Sequence, residues 1–393
     1  MPGMKYDFDT VVNRKGTDSC KWNVRDGELP MWVADMDFKA APEILQAIRK
    51  RMDNGIFGYT EIPERWNDSY VNWWKTRHGL EIEPSSLIFS TGVVPIISSV
   101  VRKITSAYDN VLIQTPVYNI FFNSILNNGR RVLESPLVYE DGGYRMDFDD
   151  LESKLADSRT TLMILCNPQN PGGIIWSRED LSRVGELCHK YGVTVLSDEI
   201  HCDITDPGVS YVPFASVSDI CRDISITAMA PTKAFNIAGL QSAAAMVPNA
   251  DLRSKVRRAL NTDEVAEPNA FAIEAAVAAF GSGGPWLDEL RMYIYENKQT
   301  VLRFVEENIP ALRVVPSQAT YLLWLDCGAF TSDSKALAAD IRRKTGLFLS
   351  NGLQYGESGR RFLRMNIACP RTLLLDGLTR LAKALSGIRE AVS

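Results

Sequence analysis

The sequence lacks the patterns that mark membrane-spanning, secreted and nucleic-acid-binding proteins. It has no run of about eighteen apolar residues, the length that a transmembrane helix needs. Residues 1–9 mix charged and aromatic side chains and contain no apolar stretch of the kind that signal peptides carry. The net charge is −5 and basic residues form only short runs, which argues against a nucleic-acid surface. We therefore expect a cytoplasmic protein that binds neither membrane nor nucleic acid.

Motifs for metals and nucleotide cofactors are also missing. The seven cysteines are scattered and form no C-x-x-C pair, so we interpret them as small buried side chains in a reducing compartment. Neither the G-x-G-x-x-G fingerprint of dinucleotide sites nor the G-x-x-x-x-G-K-[ST] loop of nucleoside triphosphatases occurs. No metal ligands are assigned, and no nucleotide cofactor is expected.

The 393 residues, 45% hydrophobic and 23% charged, have ordinary globular composition and suffice for one large and one smaller domain. Short apolar runs at residues 111–113, 161–166, 193–196 and 224–229 are typical of strands buried on both faces. Between two of these runs, the apolar side chains of residues 178–191 fall three or four positions apart, as in a one-faced helix. This alternation predicts an α/β fold with a parallel sheet flanked by helices.

The C-terminal third predicts a second, smaller domain. A helical pattern covers residues 286–307, and shorter strand-like pieces and more helix follow it. Residues 281–285, Gly-Ser-Gly-Gly-Pro, are so rich in helix breakers that we place a domain change there. The chain before Pro42 looks irregular and is available to pack against the C-terminal part. We predict a large domain over residues 45–284 and a small α+β domain built from residues 1–44 and 285–393.

The turn at residues 90–95 has the features of an anion-binding site. A predicted strand ends there and an apolar helical pattern starts at once, with Pro95 in the first turn, where no N–H is required. The N–H groups of Gly92, Val93 and Val94 are then free to hold a phosphate at the helix N-terminus. An ordinary strand-to-helix turn would produce the same pattern.

Polar residues also follow two of the predicted buried strands. Residues 167–173 contain two Asn-Pro steps and two glycines, an irregular turn that directs the amide of Asn170 towards a ligand. Asp198 and His201 follow the strand at residues 193–196. An acidic residue at such a point either caps the next helix or serves a ligand, and a lone histidine is more typical of a packed side chain.

Lys233 follows the buried strand at residues 224–229, beside Thr232 and shortly before Phe235. An exposed lysine is the ordinary interpretation of any one such residue. An apolar environment, however, lowers the pKa of an amine, and a neutral amine is what Schiff-base chemistry requires. These features together predict a site for pyridoxal 5′-phosphate (PLP). They would supply an anion cradle, an acid for a ring nitrogen, an amide for a ring oxygen and a nucleophilic lysine.

The sequence resembles the fold-type I PLP enzymes of the class I/II aminotransferase superfamily and, within them, the MalY/PatB-type cystathionine β-lyases. The matching segments occur in order along essentially the whole chain, at residues 16–19, 21–22, 32–38, 58–60, 115–118, 170–173, 197–201, 231–236 and 364–366. The resemblance implies a mostly parallel, seven-stranded sheet flanked by helices and a smaller α+β domain.

The resemblance also implies roles for individual residues. Lys233 is expected to carry the cofactor as a Schiff base and to move the Cα proton. Asp198 is expected to pair with the protonated ring nitrogen, and Tyr118 to stack on the ring. The other implied cofactor contacts are Gly92, Val93, Val94, Asn170, His201, Thr232 and, from the other subunit, Tyr59.

The substrate carboxylate is expected to meet Arg364 in a bidentate pair, which lysine does not form well. The N–H of Ala34 is expected to assist, and Asn170 and Tyr59 are also assigned to substrate binding. Because Tyr59 comes from the partner subunit, the active site is expected to belong to a homodimer.

Two departures from the superfamily pattern affect the phosphate cup. Many relatives have S-x-S-K at the Schiff-base site, where this sequence has Ala230 and Thr232 before Lys233. Many aminotransferases also have an arginine where this sequence has Gln241, two residues after Gly239. A charge-assisted hydrogen bond lost from a dry site costs about 1.5–3 kcal/mol, so we expect weaker cofactor retention. We interpret Gln241 as a mark of the lyase branch.

The implied reaction is the α,β-elimination of cystathionine or a related cysteine S-conjugate, which yields a thiol, pyruvate and ammonia. Transamination uses the same machinery, so a PLP-dependent aminotransferase is the enzymatic alternative. Some relatives also bind a transcription regulator, which makes a regulatory binding protein the alternative from another class. The presence of Lys233, Asp198 and Arg364 argues against a loss of catalysis.

Overall fold

The computed structural model describes residues 4–386, which form two main sheets and twelve α-helices. The strands are β1 (Leu29–Pro30), β2 (Leu87–Ser90), β3 (Asn110–Ile113), β4 (Arg131–Glu134), β5 (Val138–Glu140), β6 (Gly143–Arg145), β7 (Thr160–Cys166), β8 (Thr194–Asp198), β9 (Ser225–Met229), β10 (Ala243–Met246), β11 (Arg313–Val314), β12 (Leu322–Asp326), β13 (Leu347–Phe348), β14 (Ser350–Asn351) and β15 (Phe362–Asn366). The helices are α1 (Pro42–Asp53), α2 (Glu64–His78), α3 (Val93–Ile104), α4 (Ile120–Asn127), α5 (Phe148–Leu155), α6 (Arg178–Lys190), α7 (Asp219–Asp223), α8 (Ala250–Thr262), α9 (Ala272–Ser282), α10 (Gly284–Asn308), α11 (Ser334–Thr345) and α12 (Arg371–Leu385).

The large sheet confirms the predicted fold class. Its seven strands lie in the order β2-β10-β9-β8-β7-β3-β4, and only β10 runs antiparallel to its neighbours. The four apolar runs form β3, β7, β8 and β9, within two residues of the predicted bounds. Since the six parallel strands share a direction, the turns that follow them lie at one edge of the sheet, where open α/β sheets bind ligands.

Local sequence explains why the crossover helices begin and end where they do. In α6, the Ser177 side chain accepts from the Asp180 N–H while Asp180 accepts from the N–H of Ser177, a complete capping box. Gly192 follows the helix with φ +68°, a left-handed conformation that costs glycine little. Leu181 and Val184 are fully buried on one face of α6, as the periodicity predicts.

The two ends of the chain pack together. Leu29 pairs with Leu347 in a short parallel ladder between β1 and β13, and the Tyr293 hydroxyl of α10 donates to Asp9 at 2.6 Å. The C-terminal part also contains an antiparallel sheet in the order β11-β12-β15-β14. The division into residues 45–284 and residues 1–44 with 285–393 stays a prediction, which these contacts support.

The interpretation of residues 281–285 as a break too rich in glycine to lie inside an element is wrong. Gly281 lies within α9 and Pro285 within α10, and Gly283 alone separates the two helices. A Cβ on Gly283 would lie 2.6 Å from the Ala279 carbonyl oxygen and 2.6 Å from the Phe235 ring. The glycine therefore allows Phe235 and the Ala279 carbonyl group to pack closely against the chain. Pro285 suits the first turn of α10, where no N–H is needed.

Helix α10 confirms the predicted helix at residues 286–307 and is slightly longer at both ends. Within residues 4–386, no helix is both long and apolar enough to cross a membrane.

Candidate active site

The acidic residue and the lysine predicted for catalysis follow adjacent strands at the same sheet edge. Asp198 is the last residue of β8, and Lys233 lies four positions beyond the end of β9. Strands β8 and β9 pair in parallel, with Asp198 opposite Ala228. The two side chains are close enough that each charge alters the pKa of the other group.

Asp198 is a buried carboxyl that forms no ion pair within the described part of the chain. Burial raises its pKa to about 7, although the Ile200 N–H that it accepts at 3.2 Å and the nearby Lys233 amine both lower it. A carboxyl of this kind gains stability from a cation brought to it. A protonated ring nitrogen has the required charge and donor.

Lys233 is half-buried and donates from Nζ to the Ala34 carbonyl oxygen at 2.6 Å. Burial lowers its pKa from the usual 10.5 to about 8, and the positive charge of Arg364 acts in the same direction. Asp35 and Asp198 oppose the shift. The amine is therefore neutral in a substantial fraction of molecules near pH 8, as nucleophilic and base chemistry requires.

Arg364 is buried, with 4% of its surface exposed, and projects from β15. It donates from Nη1 to the Asn170 Oδ1 at 3.1 Å and from Nη2 to the Trp32 carbonyl oxygen at 3.0 Å. Its Nε has no acceptor, and no carboxylate of the described residues pairs with it. A buried guanidinium without a counter-charge is costly, so the site fits an anionic ligand group such as a carboxylate.

Two rings complete this part of the site. Tyr118 follows β3 and is half-buried, and burial raises the pKa of its hydroxyl, which stays neutral. His201 is buried and its Nδ1 has no partner among the described residues. Burial lowers the pKa of His201 to about 3, with the charges of Lys233 and Arg364 acting in the same direction. The neutral imidazole thus keeps one ring nitrogen available for a ligand.

The predicted anion cradle has the expected backbone. Strand β2 ends at Ser90, Gly92 precedes the helix, and α3 begins at Val93. The N–H groups of Val93 and Val94 fall in the first helical turn, where no intrahelical acceptor exists. Thr232 follows β9, which runs parallel to β2, so it lies at the same edge of the sheet.

Tyr59 is the predicted site residue that this single chain does not bring to the others. Its side chain is fully exposed between α1 and α2. Its neighbours Ile56 and Phe57 are also 72% and 56% exposed. Exposed apolar and aromatic side chains in one segment favour an interface. The contribution of Tyr59 to a partner's site stays a prediction.

The structure adds site residues to which the sequence analysis assigned no role. The Tyr321 hydroxyl donates to the Ala34 carbonyl oxygen at 3.1 Å, beside Lys233. The side chains of Asn236 and Asn366 bind the backbone around Ala34. Both asparagines lie in segments that carry the family resemblance, and this was the only feature of the sequence that could have pointed to them. The resemblance pointed to the N–H of Ala34, whereas in the structure its carbonyl oxygen is the group that contacts Lys233.

The side chains of His78, Cys202 and Asp203 lie close enough together to suggest a metal site. Asp203 Oδ1, however, already accepts from the Trp73 indole at 2.9 Å and lies 2.8 Å from His78 Nε2. Burial raises the pKa of the Cys202 thiol well above its usual value, which disfavours the thiolate that a metal needs. A hydrogen-bonded network explains this cluster without a metal.

Taken together, the sheet, the strand-end residues and the buried arginine define a class of protein. The profile described as "Aminotransferase class I and II" matches residues 31–381. The chain belongs to this family.

Particular relatives match over nearly their whole length. Cystathionine beta-lyase PatB from Bacillus subtilis is 44% identical over an alignment of 387 residues that covers 97% of this chain and 100% of PatB. Protein MalY from Escherichia coli is 33% identical over 98% of this chain and 100% of MalY. The crystal structure of cystalysin from Treponema denticola, which contains a pyridoxal 5′-phosphate cofactor, matches with a TM-score of 0.94 at 33% identity, over 98% of this chain and 99% of that one. The resemblance drawn from short segments is confirmed.

Proposed function

We infer that the protein is a PLP-dependent carbon–sulfur β-lyase, which cleaves cystathionine or related cysteine S-conjugates to a thiol, pyruvate and ammonia. The observation that carries this inference is the juxtaposition of Lys233 and Asp198, at one edge of the large sheet, with the buried Arg364 of β15, which has no carboxylate partner among the described residues. Similarity to PatB over nearly the whole chain supports the lyase reaction.

The residues present fit the cofactor. The first-turn N–H groups of α3 suit its phosphate, and the buried carboxyl of Asp198 suits a ring nitrogen. The unpartnered Nδ1 of His201 is available to a ring substituent. Lys233 offers an amine that is largely neutral above pH 8. Bound PLP supplies an electron sink for the charge that develops at the substrate Cα.

Each side chain of the site would then have its own role in the reaction. Arg364 holds the substrate carboxylate, for which its unused Nε–H and fork geometry are suited. Lys233 would take the Cα proton at Nζ, because its lowered pKa leaves a substantial fraction of the amine neutral near pH 8. Asp198 keeps the ring nitrogen protonated. The thiolate leaves from Cβ, and the remaining fragment hydrolyses to pyruvate and ammonia.

A product panel tests the reaction. The holoenzyme is incubated with cystathionine, cystine or cysteine, and pyruvate and thiol are measured without any 2-oxo acid. Release of both supports the lyase and identifies the preferred sulfur amino acid. A reaction that requires a 2-oxo acid acceptor and releases no thiol would make the protein an aminotransferase instead.

We propose that the enzyme works as a homodimer in which Tyr59 serves the partner's site. Two inactive variants, Lys233→Ala and Tyr59→Ala, are expected to regain activity when their subunits are mixed and reassociated. After random reassociation of equal amounts, half of all dimers contain one subunit of each kind and each of these holds one intact site of two, so about a quarter of wild-type activity is expected. The assay is thiol release after mixing, and each variant alone is the control. No recovery, with subunit exchange shown by mass spectrometry, would place Tyr59 in its own subunit's site or outside both.

Covalent capture of PLP by the cofactor-free protein is expected to become faster as the pH rises to about 8 and to level off above it. The neutral amine is the nucleophile, and burial sets the pKa of Lys233 at about 8 instead of 10.5. The rate of the absorbance change on mixing measures the profile. Arg364→Met removes a positive charge near the amine and should move the midpoint to higher pH. A wild-type midpoint near 10.5 would contradict the assignment.

Gln241→Arg is expected to tighten PLP binding by about tenfold, since a charge-assisted hydrogen bond to the phosphate is restored and solvent at this exposed position keeps its value near the lower end of about 1.5–3 kcal/mol. Gln241 is exposed and already adopts a left-handed backbone, φ +53°, that arginine tolerates equally. The dissociation constant is measured by titration of the cofactor-free protein, with and without inorganic phosphate as a competitor. Gln46→Arg, on the exposed face of α1, is the control for a general charge effect. Equal affinities in all three proteins would remove Gln241 as the cause of weak retention.

A further inference from the structure

An irregular segment, residues 31–38, passes between the lysine and the arginine of the site. We call it the strap. It has no helix or strand, yet seven of its eight carbonyl oxygens accept hydrogen bonds. The carbonyl oxygens that accept hydrogen bonds from outside the strap are those of Met31, Trp32, Val33, Ala34, Asp35, Met36 and Phe38. Pairing of so many carbonyl groups in an irregular segment requires donors that are placed for it.

Strand β15 supplies one group of donors. Arg364 donates to the Trp32 carbonyl oxygen at 3.0 Å. Asn366, two residues later, donates from Nδ2 to the carbonyl oxygens of Val33 and Asp35, both at 2.6 Å. Its Oδ1 accepts from the Ala368 N–H at 2.7 Å. Asn366 is 1% exposed, and its amide has partners on both sides.

The turn after β9 supplies the other group. Lys233 donates to the Ala34 carbonyl oxygen at 2.6 Å. Three residues later, Asn236 accepts from the Met36 N–H at 2.9 Å and donates to the Met36 and Phe38 carbonyl oxygens at 3.0 and 2.8 Å. Asn236 adopts φ +56°, a conformation that asparagine tolerates better than most residues do. Lys233 and Arg364 are thus each followed, within three residues, by an asparagine that binds the strap.

Charged side chains from the N-terminal segment also bind the strap. Arg14 pairs with Asp35 at 2.7 Å and with Asp37 at 2.8 Å. Lys21, which is 1% exposed, pairs with Asp37 at 2.7 Å. Breaking a buried ion pair by removal of one partner is strongly unfavourable, so the strap has little freedom to move away from the site.

We propose that Asn236 and Asn366 are positioning residues, which set the separation between the Lys233 amine and the Arg364 guanidinium by fixing both elements to the strap. The proposal rests on the proposed function, because that separation matters when one group binds the substrate carboxylate and the other takes its Cα proton. Neither asparagine is required to touch the substrate. Each acts by donating to two backbone carbonyl oxygens of the strap, Asn366 to those of Val33 and Asp35 and Asn236 to those of Met36 and Phe38.

The two ends of the strap predict different kinetic effects. Loosening the Asn366 end disturbs Arg364, which binds the carboxylate in the ground state and the transition state alike, so KM should rise with kcat nearly unchanged. Loosening the Asn236 end disturbs the proton acceptor, so kcat should fall with KM nearly unchanged. Since a displacement of about 1 Å can cost about a hundredfold in rate, we expect effects of about tenfold for each.

The test compares Asn366→Ser and Asn236→Ser in the holoenzyme with a matched control, Asn297→Ser. Asn297 is buried, as Asn366 is, and it too donates from Nδ2 to two carbonyl oxygens, of Ile367 at 2.8 Å and Cys369 at 2.9 Å, but neither belongs to the strap. All three variants should lose thermal stability. Only the first two should show the split in KM and kcat, and their double variant should lose less than the product of the single effects.

Hydrogen exchange provides a readout that needs no activity. Deuterium uptake of the peptide that covers residues 31–38 is measured in the cofactor-free proteins, where both strap variants should exchange faster than wild type and Asn297→Ser. If a serine variant does not fold, the aspartate variant at the same position replaces it, because it keeps the side-chain oxygen and loses the amide donors.

The outcomes separate this proposal from the proposed function. If wild type releases no thiol, the lyase assignment fails, and the exchange measurement alone decides on the strap. If wild type is active but the strap variants match Asn297→Ser in KM, kcat and deuterium uptake, the proposal is overturned. Faster exchange together with the kinetic split supports it.

Discussion

Lys233→Ala is expected to lower the rate of pyruvate release by about 10⁴-fold, the upper range for loss of a positioned proton-transfer group. Lys233 is the amine that the fold brings next to Asp198, and burial gives it the lowered pKa of a nucleophile. The same variant should bind PLP without covalent attachment, so that borohydride reduction followed by digestion traps no cofactor. Both effects have a single physical cause, the loss of a neutral amine at this position.

Lys298→Met controls for the removal of a buried lysine. Lys298 is 4% exposed, so it is more deeply buried than Lys233, and its amine binds Asp206 and the Ser317 carbonyl oxygen instead of site residues. It should lose stability and keep both turnover per folded molecule and covalent PLP. A borohydride-trapped peptide that contains a lysine other than Lys233 would end the assignment.

Asp198→Asn is the second large effect, an expected loss of about 10²–10⁴-fold in kcat. The change keeps the shape of the side chain and removes the charge that holds a ring nitrogen protonated. Burial already raises the pKa of Asp198 to about 7 in the free protein, so a ring cation is what keeps this carboxyl ionised at neutral pH. The measurement is kcat for thiol release at saturating substrate, together with PLP content.

Asp203→Asn is the matched control, because both aspartates are 5% exposed and both lie just beyond or at the end of β8. Asp203 accepts from Trp73 and His78, so its loss should lower stability without changing the chemistry. Equal kcat values for wild type and Asp198→Asn would show that the ring nitrogen does not depend on this carboxyl.

The sequence predicted the parts of the fold that periodicity reports. Strands buried on both faces appear as continuous apolar runs, and so β3, β7, β8 and β9 were found nearly to the residue. The prediction for residues 281–285 was wrong because a glycine-rich segment can have either of two physical explanations. A glycine permits a turn, but it also permits close approach, and at Gly283 the neighbouring Phe235 ring makes the second cause decisive.

The strand-end chemistry was predictable for the same reason, since a residue directly after a buried parallel strand has a known place on the sheet edge. Lys233, Asp198 and the α3 cradle were located in this way. The strap was not. It has no period, and the site residues that bind it, Lys233, Asn236, Arg364 and Asn366, lie about 200 to 330 positions away in the chain, so only the folded arrangement shows these contacts.

A shortened chain that began at Pro42 would still contain the residues of all twelve helices and of every strand of the large sheet. It would nevertheless lack the Ala34 oxygen on which the Lys233 amine rests and the Trp32 oxygen that steadies Arg364. Secondary-structure content is therefore a poor guide to competence in this protein, and trimming the apparently featureless leader would remove part of the catalytic centre.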